Sequence, residues 1–338
     1  MQQRSTLSIS ALLLLVIPAM TWAAPDPTSE AGIRKISQIL NRRSSTLDEH
    51  QGNMRTALKQ VQTFRASTPT PPASYLGTAA LLASQAQFNL ESYHEALGEV
   101  DIALKYPLEK SQHALALFIK SILYQQTGDE LKAISVLYSL KNTFPNDRIT
   151  PQAWFLLAEL LAGEGRAPEA IAVLDTFKSL PASAPMAAQI TTTQGNLRLI
   201  GTTPKAFSTT AMDGRTISLA QYRGKVVLLD FWATWCGPCR QSMPEIKSLY
   251  AKYNPKGFDI LAVSLDHKKS DVEGYVMREG MPWRQVADGR GWRSEIARLY
   301  GVTAIPTTYL IDRRGNIAGV NLRGKRLEDT VKRLLKKS

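Results

Sequence analysis

The sequence predicts two domains, an all-α domain of helical repeats followed by an α/β domain built around a central sheet. Alanines recur at a 37-residue interval in the first part of the chain, and continuous apolar runs typical of buried strands begin after residue 200. A length of 338 residues is enough for two domains that each bury a core. Thr202–Pro204 separates the two patterns, so we place the domains at residues 25–200 and 201–338.

Residues 1–24 are predicted to be a secretory signal peptide. Arg4 provides the positive start, Leu7–Met20 is mostly apolar, and Thr21–Ala24 offers small residues for cleavage. The uncharged run over residues 5–24 is also long enough for an uncleaved membrane anchor. In either case we expect the mature protein in the periplasm or in another compartment outside the cytoplasm, where disulfides persist.

Positive charge is concentrated in the second domain. Residues 201–338 hold 24 Lys and Arg against 13 Asp and Glu, whereas residues 1–200 hold 17 against 16. A solvated basic face is the simplest interpretation, and attraction to acidic partners or to an anionic membrane surface is the alternative. Nucleic-acid binding is not predicted, because the sequence contains no RRM signature or zinc-finger spacing.

Helical periodicity begins the all-α domain. Ile33, Ile36 and Ile39 recur at helical spacing. A second helical stretch continues to about Phe64, and a proline-rich break follows at Thr68–Pro72. These signals predict two helices ahead of the repeats.

An internal repeat spans about residues 74–181. Ala96, Ala133 and Ala170 are 37 residues apart, and a small Ala allows two antiparallel helices to approach closely. The other repeated positions are two glycines in the turns and three closing prolines: Gly128, Gly165, Pro107, Pro145 and Pro181. The pattern resembles tetratricopeptide repeats, although the period exceeds the family's length of about 34 residues and Glu91 replaces the first glycine. Generic helix packing is the alternative.

Short strands and helices alternate after Pro204. Asp213-Gly214 is a hairpin signal between Ala206–Ala211 and Thr216–Leu219. Val226–Phe231 is an apolar run interrupted by one acid, which is typical of a central buried strand. The remaining predictions are a strand at Phe258–Leu265, a helix around Val272–Val276, a hairpin of Thr307–Asp312 with Ile317–Asn321, and a final helix through Leu327–Leu335.

The chain has two cysteines, Cys236 and Cys239, and their spacing limits what they can do. A disulfide across so short a loop would restrain the unfolded chain little, so a purely structural role is a poor explanation. No metal is predicted, because zinc would need further ligands and the four histidines lack ligand spacing. Redox chemistry is the remaining interpretation.

The residues around this pair form a recognisable motif. The run Phe231–Cys239 reads FWATWCGPC, it follows a buried strand directly, and Ile305-Pro306-Thr307 lies downstream. These features resemble the thioredoxin superfamily over the second domain. The preceding hairpin and the helix near Asp271–Gly280 are most similar to its extracytoplasmic TlpA/ResA-like branch. The resemblance implies a thioredoxin-like fold with a mixed central sheet and a redox-active disulfide between Cys236 and Cys239.

The same resemblance assigns roles to individual residues. Cys236, at a helix N-terminus, is expected to be the attacking thiolate, and Cys239, one turn inside the helix, is expected to resolve the mixed disulfide. Asp230 is predicted to be a buried general acid/base for Cys239, and a strand-end Asp bonded to backbone is the alternative. The predicted substrate-binding residues are Trp235, Gly237, Pro238, Ile305 and Pro306. The resemblance implies that Pro306 is a cis-proline beside the cysteines, and an ordinary trans turn proline is the alternative.

We therefore expect an extracytoplasmic thiol–disulfide oxidoreductase without a cofactor. Gly237-Pro238 is the pair of reducing thioredoxins, which favours reduction of disulfide-containing client proteins with electrons from a membrane-embedded dithiol reductant. The helical repeats would bind a protein partner. A dithiol oxidase or disulfide isomerase remains open, as does a repeat-based binding scaffold with a vestigial redox site. A peroxidase is disfavoured, because Ala233 occupies the position where peroxiredoxins carry Thr or Ser.

Overall fold

A computed structural model describes residues 27–336 of the chain, and the predicted signal peptide at residues 1–24 lies outside them. The described chain divides into two compact units. The first contains the residues up to Leu160 with Leu180–Ser183, and the second contains Leu161–Ser179 and the residues from Ala184 onwards. Within residues 27–336, no helix combines the length and the apolar content that crossing a bilayer requires.

Helices account for the first unit and for the start of the second. They are α1 Pro27–Leu40, α2 Leu47–Arg65, α3 Ala73–Asn89, α4 Tyr93–Ala103, α5 Lys110–Thr127, α6 Glu130–Thr143, α7 Thr150–Gly163, α8 Ala167–Lys178 and α9 Ala187–Leu199. A 3-10 segment, Pro181–Met186, separates α8 from α9. The predicted all-α region is confirmed.

The apolar spacing seen in the sequence packs the first three helices together. Ile33, Ile36 and Ile39 of α1 are buried, and they share one apolar cluster with residues of α2 and α3. The start of α2 is fixed by Thr46, whose hydroxyl accepts the N–H of Glu49 at 3.1 Å. The burial pattern of α1 and the N-cap of α2 therefore both match the helical segments that the sequence predicts here.

The three helical hairpins share one turn conformation. Glu91, Gly128 and Gly165 join α3 to α4, α5 to α6 and α7 to α8, with φ angles of +60°, +86° and +79°. In each turn the next N–H donates to the carbonyl five residues before it, at 2.9, 2.8 and 2.8 Å. Glycine enters this left-handed region freely, whereas a side chain is strained there. Glu91 changes the residue type of the turn but not its backbone.

The second unit contains a five-stranded mixed sheet and a separate hairpin. The strands are β1 Ser208–Thr210 and β2 Thr216–Ser218 in the hairpin, and β3 Val226–Trp232, β4 Phe258–Ser264, β5 Arg284–Ala287, β6 Thr307–Ile311 and β7 Ile317–Val320 in the sheet. The order is β5-β4-β3-β6-β7, with β3, β4 and β5 parallel and β6 antiparallel to both of its neighbours. The helices of this region are α10 Gly237–Tyr253, α11 Lys269–Glu279, α12 Glu295–Leu299 and α13 Gly324–Lys336. The predicted thioredoxin-like fold with a mixed sheet is confirmed.

The central strand β3 leads directly to the cysteine pair. All seven of its residues are buried, which explains its nearly continuous apolar sequence. The carboxyl ends of β3 and β4 lie at one edge of the sheet because the two strands are parallel. The start of β6 lies at the same edge, since Thr307 pairs with Phe231. This edge therefore brings together the segments that follow β3 and precede β6.

The connection around residues 200–202 is held by the second unit. The N–H of Gly201 donates to the carbonyl of Ile317 at 2.8 Å, and the N–H of Ile317 donates to the carbonyl of Thr202 at 2.9 Å. Helix α9 also packs on β7. The second unit therefore includes residues that precede the predicted domain boundary at residues 200/201. The position of that boundary stays a prediction.

Candidate active site

The cysteine pair lies at the N-terminus of α10. Cys236 is the N-cap residue, and its carbonyl accepts the N–H of Arg240 at 3.1 Å. Its Sγ accepts the N–H of Cys239 at 3.2 Å. The two residues are joined by a disulfide, with their Cα atoms 5.3 Å apart. The predicted attacking sulfur is thus placed where unpaired backbone N–H groups and the helix dipole stabilise a negative charge.

Both cysteines are buried at the start of α10. Cys236 is 4% exposed and Cys239 is 1% exposed. Gly237 and Pro238 occupy the exposed first positions of α10, where the missing N–H of proline leaves no hydrogen bond unmade. Both sulfurs are therefore largely covered in the disulfide form, and Cys239 is the more deeply buried of the two.

Asp230 is buried in β3, and only 5% of it is exposed. Burial raises the pKa of its carboxyl to about 7, and the positive charge of Arg323 opposes this rise. Asp230 lies opposite Thr308 of β6, so both side chains face the same side of the sheet. Among the described residues, no donor forms a hydrogen bond with the Asp230 carboxyl, which disfavours the alternative of an Asp bonded to backbone. A carboxyl with this pKa can hold or release a proton near neutral pH.

The segment between β3 and α10 is held by a carboxylate that the sequence analysis did not identify. Asp266, which follows β4 and is 2% exposed, accepts the backbone N–H of Thr234 at 3.0 Å and its hydroxyl at 2.5 Å. The hydroxyl of Ser264 donates to the same carboxylate at 2.7 Å. These bonds fix the residues immediately ahead of Cys236.

The loop before β6 forms the other side of this sheet edge. The Ile305–Pro306 peptide bond is cis, as the resemblance implies. The carbonyl of Pro306 accepts a hydrogen bond from Nη2 of Arg323 at 2.7 Å. Ile305 is half-buried, so part of its surface remains available for contact. Arg323 is a second residue that sequence reasoning missed, because it follows β7 and has no sequence relation to the proline.

The aromatic residues near the cysteines separate into packing and surface residues. Phe231 and Trp232 are fully buried, and Nε1 of Trp232 donates to Oε1 of Gln285 at 3.1 Å. Trp235 is 54% exposed, and its ring centroid lies 6.2 Å from that of Trp292. Trp235 is therefore a surface residue, and Trp292 is its aromatic neighbour, which the sequence did not indicate.

The predicted site residues thus come together at one edge of the sheet, in the β3–α10 turn and in the loop before β6. Their catalytic and substrate-binding roles stay predictions. Within residues 27–336, no three His, Cys, Asp or Glu side chains are grouped as metal ligands. The arrangement consists of a sulfur pair, a buried acid and an exposed aromatic surface.

Comparison with known proteins relates the second unit to one class of enzyme. The sequence pattern that describes the AhpC/TSA family matches residues 200–320. The thiol-disulfide oxidoreductase ResA of Geobacillus thermodenitrificans is 39% identical over 118 residues, which cover 35% of this chain and 66% of that relative. ResA of Bacillus thuringiensis subsp. konkukian is 35% identical over 138 residues, which cover 41% of this chain and 78% of that relative.

Two solved structures are similar to the same part of the chain. The thioredoxin domain of a thiol-disulfide oxidoreductase from Bacteroides vulgatus is 29% identical, with 40% of this chain and 98% of that chain covered and a TM-score of 0.38. A thiol-disulfide oxidoreductase from Bacteroides fragilis is 31% identical, with 39% of this chain and 98% of that chain covered and a TM-score of 0.37.

Proposed function

The chain belongs, through its C-terminal region, to the ResA family of thiol-disulfide oxidoreductases, and on that premise we propose that it reduces disulfides of client proteins outside the cytoplasm. The observation that carries this proposal is the position of Cys236. Its sulfur caps α10 and accepts the N–H of Cys239 at 3.2 Å, next to the strand that buries Asp230. A thioredoxin-like oxidoreductase needs an ionised first thiol and a proton acceptor for the second.

The reaction follows from these positions in two steps. In the reduced protein, the Cys236 thiolate attacks one sulfur of a client disulfide, which forms a mixed disulfide and releases one client thiolate. Cys239 then gives its proton to the Asp230 carboxylate and attacks Sγ of Cys236. The mixed disulfide between Cys236 and the client breaks, and the Cys236–Cys239 disulfide forms. The second client thiolate leaves and takes up a proton. Two electrons pass from the protein to the client.

The proposed direction of electron flow rests on the Gly237-Pro238 pair. Reducing thioredoxins with this pair have a potential of about −270 mV, whereas disulfide isomerases lie near −180 mV. Equilibration of the full chain with dithiothreitol buffers, followed by alkylation and mass spectrometry, measures the potential. A value near that of thioredoxin, together with insulin reduction, supports a reductase. A value above about −180 mV would instead support the oxidase or isomerase alternative.

The proposed location rests on the signal-like segment at residues 1–24. Fusion of this segment to alkaline phosphatase, which is active only where its disulfides form, should give active enzyme. Carbonate extraction then distinguishes a cleaved signal from a membrane anchor. In an oxidising compartment the dithiol must be regenerated, and we propose a membrane-embedded dithiol protein as its reductant. An inactive fusion would refute the extracytoplasmic location.

We propose that the helical repeats bind a protein partner or client. Leu131 on α6 is an apolar residue with 67% of its surface exposed, and it is a suitable position for a photo-crosslinking residue. In the full chain with Cys239→Ser, proteins captured at position 131 should match those trapped as mixed disulfides on Cys236. Capture of an unrelated set, or of nothing, would refute recruitment. Full function of a Cys236→Ser variant in cells would support the scaffold alternative.

A further inference from the structure

An open cleft of about 380 Å³ is lined in part by residues that flank the cysteine pair in the sequence. It is lined by Thr234, Arg240, Ser270, Asp271, Gly274, Tyr275 and Arg278. Thr234 lies two residues before Cys236, and Arg240 directly follows Cys239. The cleft therefore lies close enough to Cys236 to be reached by a client segment that brings its disulfide to this residue.

The cleft carries two arginines and one acid. Arg240 is exposed, and among residues 27–336 no carboxylate forms an ion pair with it. The Arg278 guanidinium lies over the Tyr275 ring at 5.0 Å, and its Nε is 3.7 Å from Oε1 of Glu279. Asp271 provides the opposing charge within the lining. The cleft is therefore cationic, with the Arg240 side chain available for a carboxylate from another molecule.

An exposed aromatic pair adjoins the same segment. Trp235 follows Thr234 directly, and Trp235 and Trp292 are 54% and 43% exposed. Their rings lie 6.2 Å apart and are tilted by 54°. Two large exposed apolar side chains beside a reactive disulfide are typical of an interaction surface.

The position of Trp292 is built into the fold. It lies in the 3-10 turn Gly291–Arg293, where Gly291 has a φ of +55°. A Cβ at Gly291 would lie 2.3 Å from Cε1 of His267, so a larger residue would have to displace the His267 ring. The N–H of Ser294 closes the turn on the carbonyl of Gly291 at 3.0 Å. Trp292 is thus presented beside Trp235 by a turn whose left-handed backbone at position 291 favours glycine.

We propose that the cleft and the tryptophan pair select clients, and that their occupant is an extended segment of a disulfide-bonded protein. Such a segment carries a carboxylate side chain and an aromatic residue near its cysteine. The carboxylate binds Arg240 and Arg278, and the aromatic side chain packs on Trp235 and Trp292. This inference rests on the proposed reductase function and specifies the class of client for the same site.

The test uses the reduced full chain and a set of synthetic peptides with one intermolecular disulfide. The four peptides are matched in length and differ at two positions near the cysteine. These positions hold Glu and Phe, Gln and Phe, Lys and Phe, or Glu and Ala. We expect the second-order rate constant of the single turnover to be about three- to tenfold larger for the Glu-Phe peptide than for the Lys-Phe peptide at low salt, since exposed ion pairs contribute modestly to binding. The ratio should fall as salt is added.

Charge reversal makes the test specific. Arg240→Glu should shift the ratio towards the Lys-Phe peptide, and Trp292→Ala should reduce the preference for Phe over Ala. Arg298→Gln, an exposed arginine outside the cleft lining, should keep the wild-type ratios. Each ratio compares two peptides with the same variant. A smaller folded fraction lowers both rates equally and therefore leaves the ratio unchanged.

The outcomes separate this inference from the function on which it rests. If the wild-type chain reduces none of the peptides, the proposed function is wrong. If it reduces all of them equally, or if Arg240→Glu keeps the wild-type preference, the client inference is overturned and the reductase function stands.

Discussion

The carboxylate of Asp266 accepts both the backbone N–H and the hydroxyl of Thr234, at 3.0 and 2.5 Å. Asp266 follows β4, whereas Thr234 lies between β3 and Cys236, so the contact joins two parallel strands at the edge that carries the cysteine pair. The segment immediately ahead of Cys236 is therefore fixed by a residue of a neighbouring strand connection.

Asp266→Asn should loosen the segment ahead of Cys236. The amide removes the negative charge and one acceptor oxygen, so the charge-assisted hydrogen bonds from Thr234 are weakened or lost, and a hydrogen bond to a charged group contributes about 1.5–3 kcal/mol. We expect faster hydrogen exchange in the peptide covering residues 231–240, together with slower insulin reduction. Glu295→Gln is the control, because Glu295 is 79% exposed and forms only a surface ion pair with Arg290. Unchanged exchange in Asp266→Asn would contradict a positioning role.

Asp230→Asn should remove a pH dependence of stability. The carboxyl has a pKa near 3.8 when unfolded and about 7 when buried, so between these values the folded state holds a proton that the unfolded state has lost. The free energy of unfolding therefore falls as the pH rises from about 4 to 7 and is constant above that range. At pH 8 the Asn variant should be the more stable protein, by on the order of 4 kcal/mol at most.

Hydrogen exchange of the β3 peptide, compared between the two proteins at each pH, measures this difference, because intrinsic exchange rates cancel. The same variant should resolve the mixed disulfide about a hundredfold more slowly, since Asn cannot accept the proton of Cys239. Stability curves that run parallel from pH 4 to 8 would show that Asp230 does not titrate in this range.

Arg323→Gln should raise the pKa of Asp230 above about 7, because the arginine charge opposes the effect of burial. The pH at which the reduction rate reaches half its maximum should then move upwards. Arg323→Lys keeps the charge but replaces the guanidinium that donates to the Pro306 carbonyl at 2.7 Å. We expect the Lys variant to keep the wild-type midpoint. Equal shifts in both variants would assign the effect to the hydrogen bond instead of the charge.

Glu91→Gly should stabilise the first helical hairpin. Glu91 has a φ of +60°, a region that costs a residue with a side chain about 1–2 kcal/mol. Glycine avoids this strain, but it loses more backbone entropy on folding, which offsets part of the stabilisation. We expect a net stabilisation of about 0.5–1 kcal/mol, seen as slower hydrogen exchange in α3 and α4. Gly128→Glu is the reciprocal control, since a Cβ there has nothing within 4 Å and only the backbone conformation is tested. A destabilised Glu91→Gly would contradict this explanation.

The sequence predicted the parts of the fold that have strong local signals. The apolar run from Val226 identified the central strand, and the single acid within that run identified Asp230 as a buried carboxyl. The spacing of Cys236 and Cys239 after the strand identified the helix start. In the repeats, the 37-residue interval located all three turns, including the one where Glu91 replaces glycine.

The missed features depend on contacts between distant segments. Asp266 could have been found by noting that it follows a predicted parallel strand at the edge that carries the cysteines. Arg323 and Trp292 have no such signal, because loops bring them to Pro306 and Trp235. Strand β5 and helix α12 were also missed, since elements of four and five residues carry no periodic pattern and neither belongs to a hairpin, the signal that located the equally short strands β1, β2, β6 and β7.

The most direct test is the pH dependence of Cys236 alkylation in the reduced full chain with Cys239→Ser. Serine keeps the backbone N–H that lies 3.2 Å from Sγ of Cys236, and it leaves Cys236 as the one reactive thiol of the chain. We expect the alkylation rate to reach half its maximum at least about one pH unit below 8.5, the ordinary pKa of a cysteine thiol. A midpoint near 8.5, together with no insulin reduction by the unsubstituted protein, would contradict the assignment of Cys236 as the attacking thiolate.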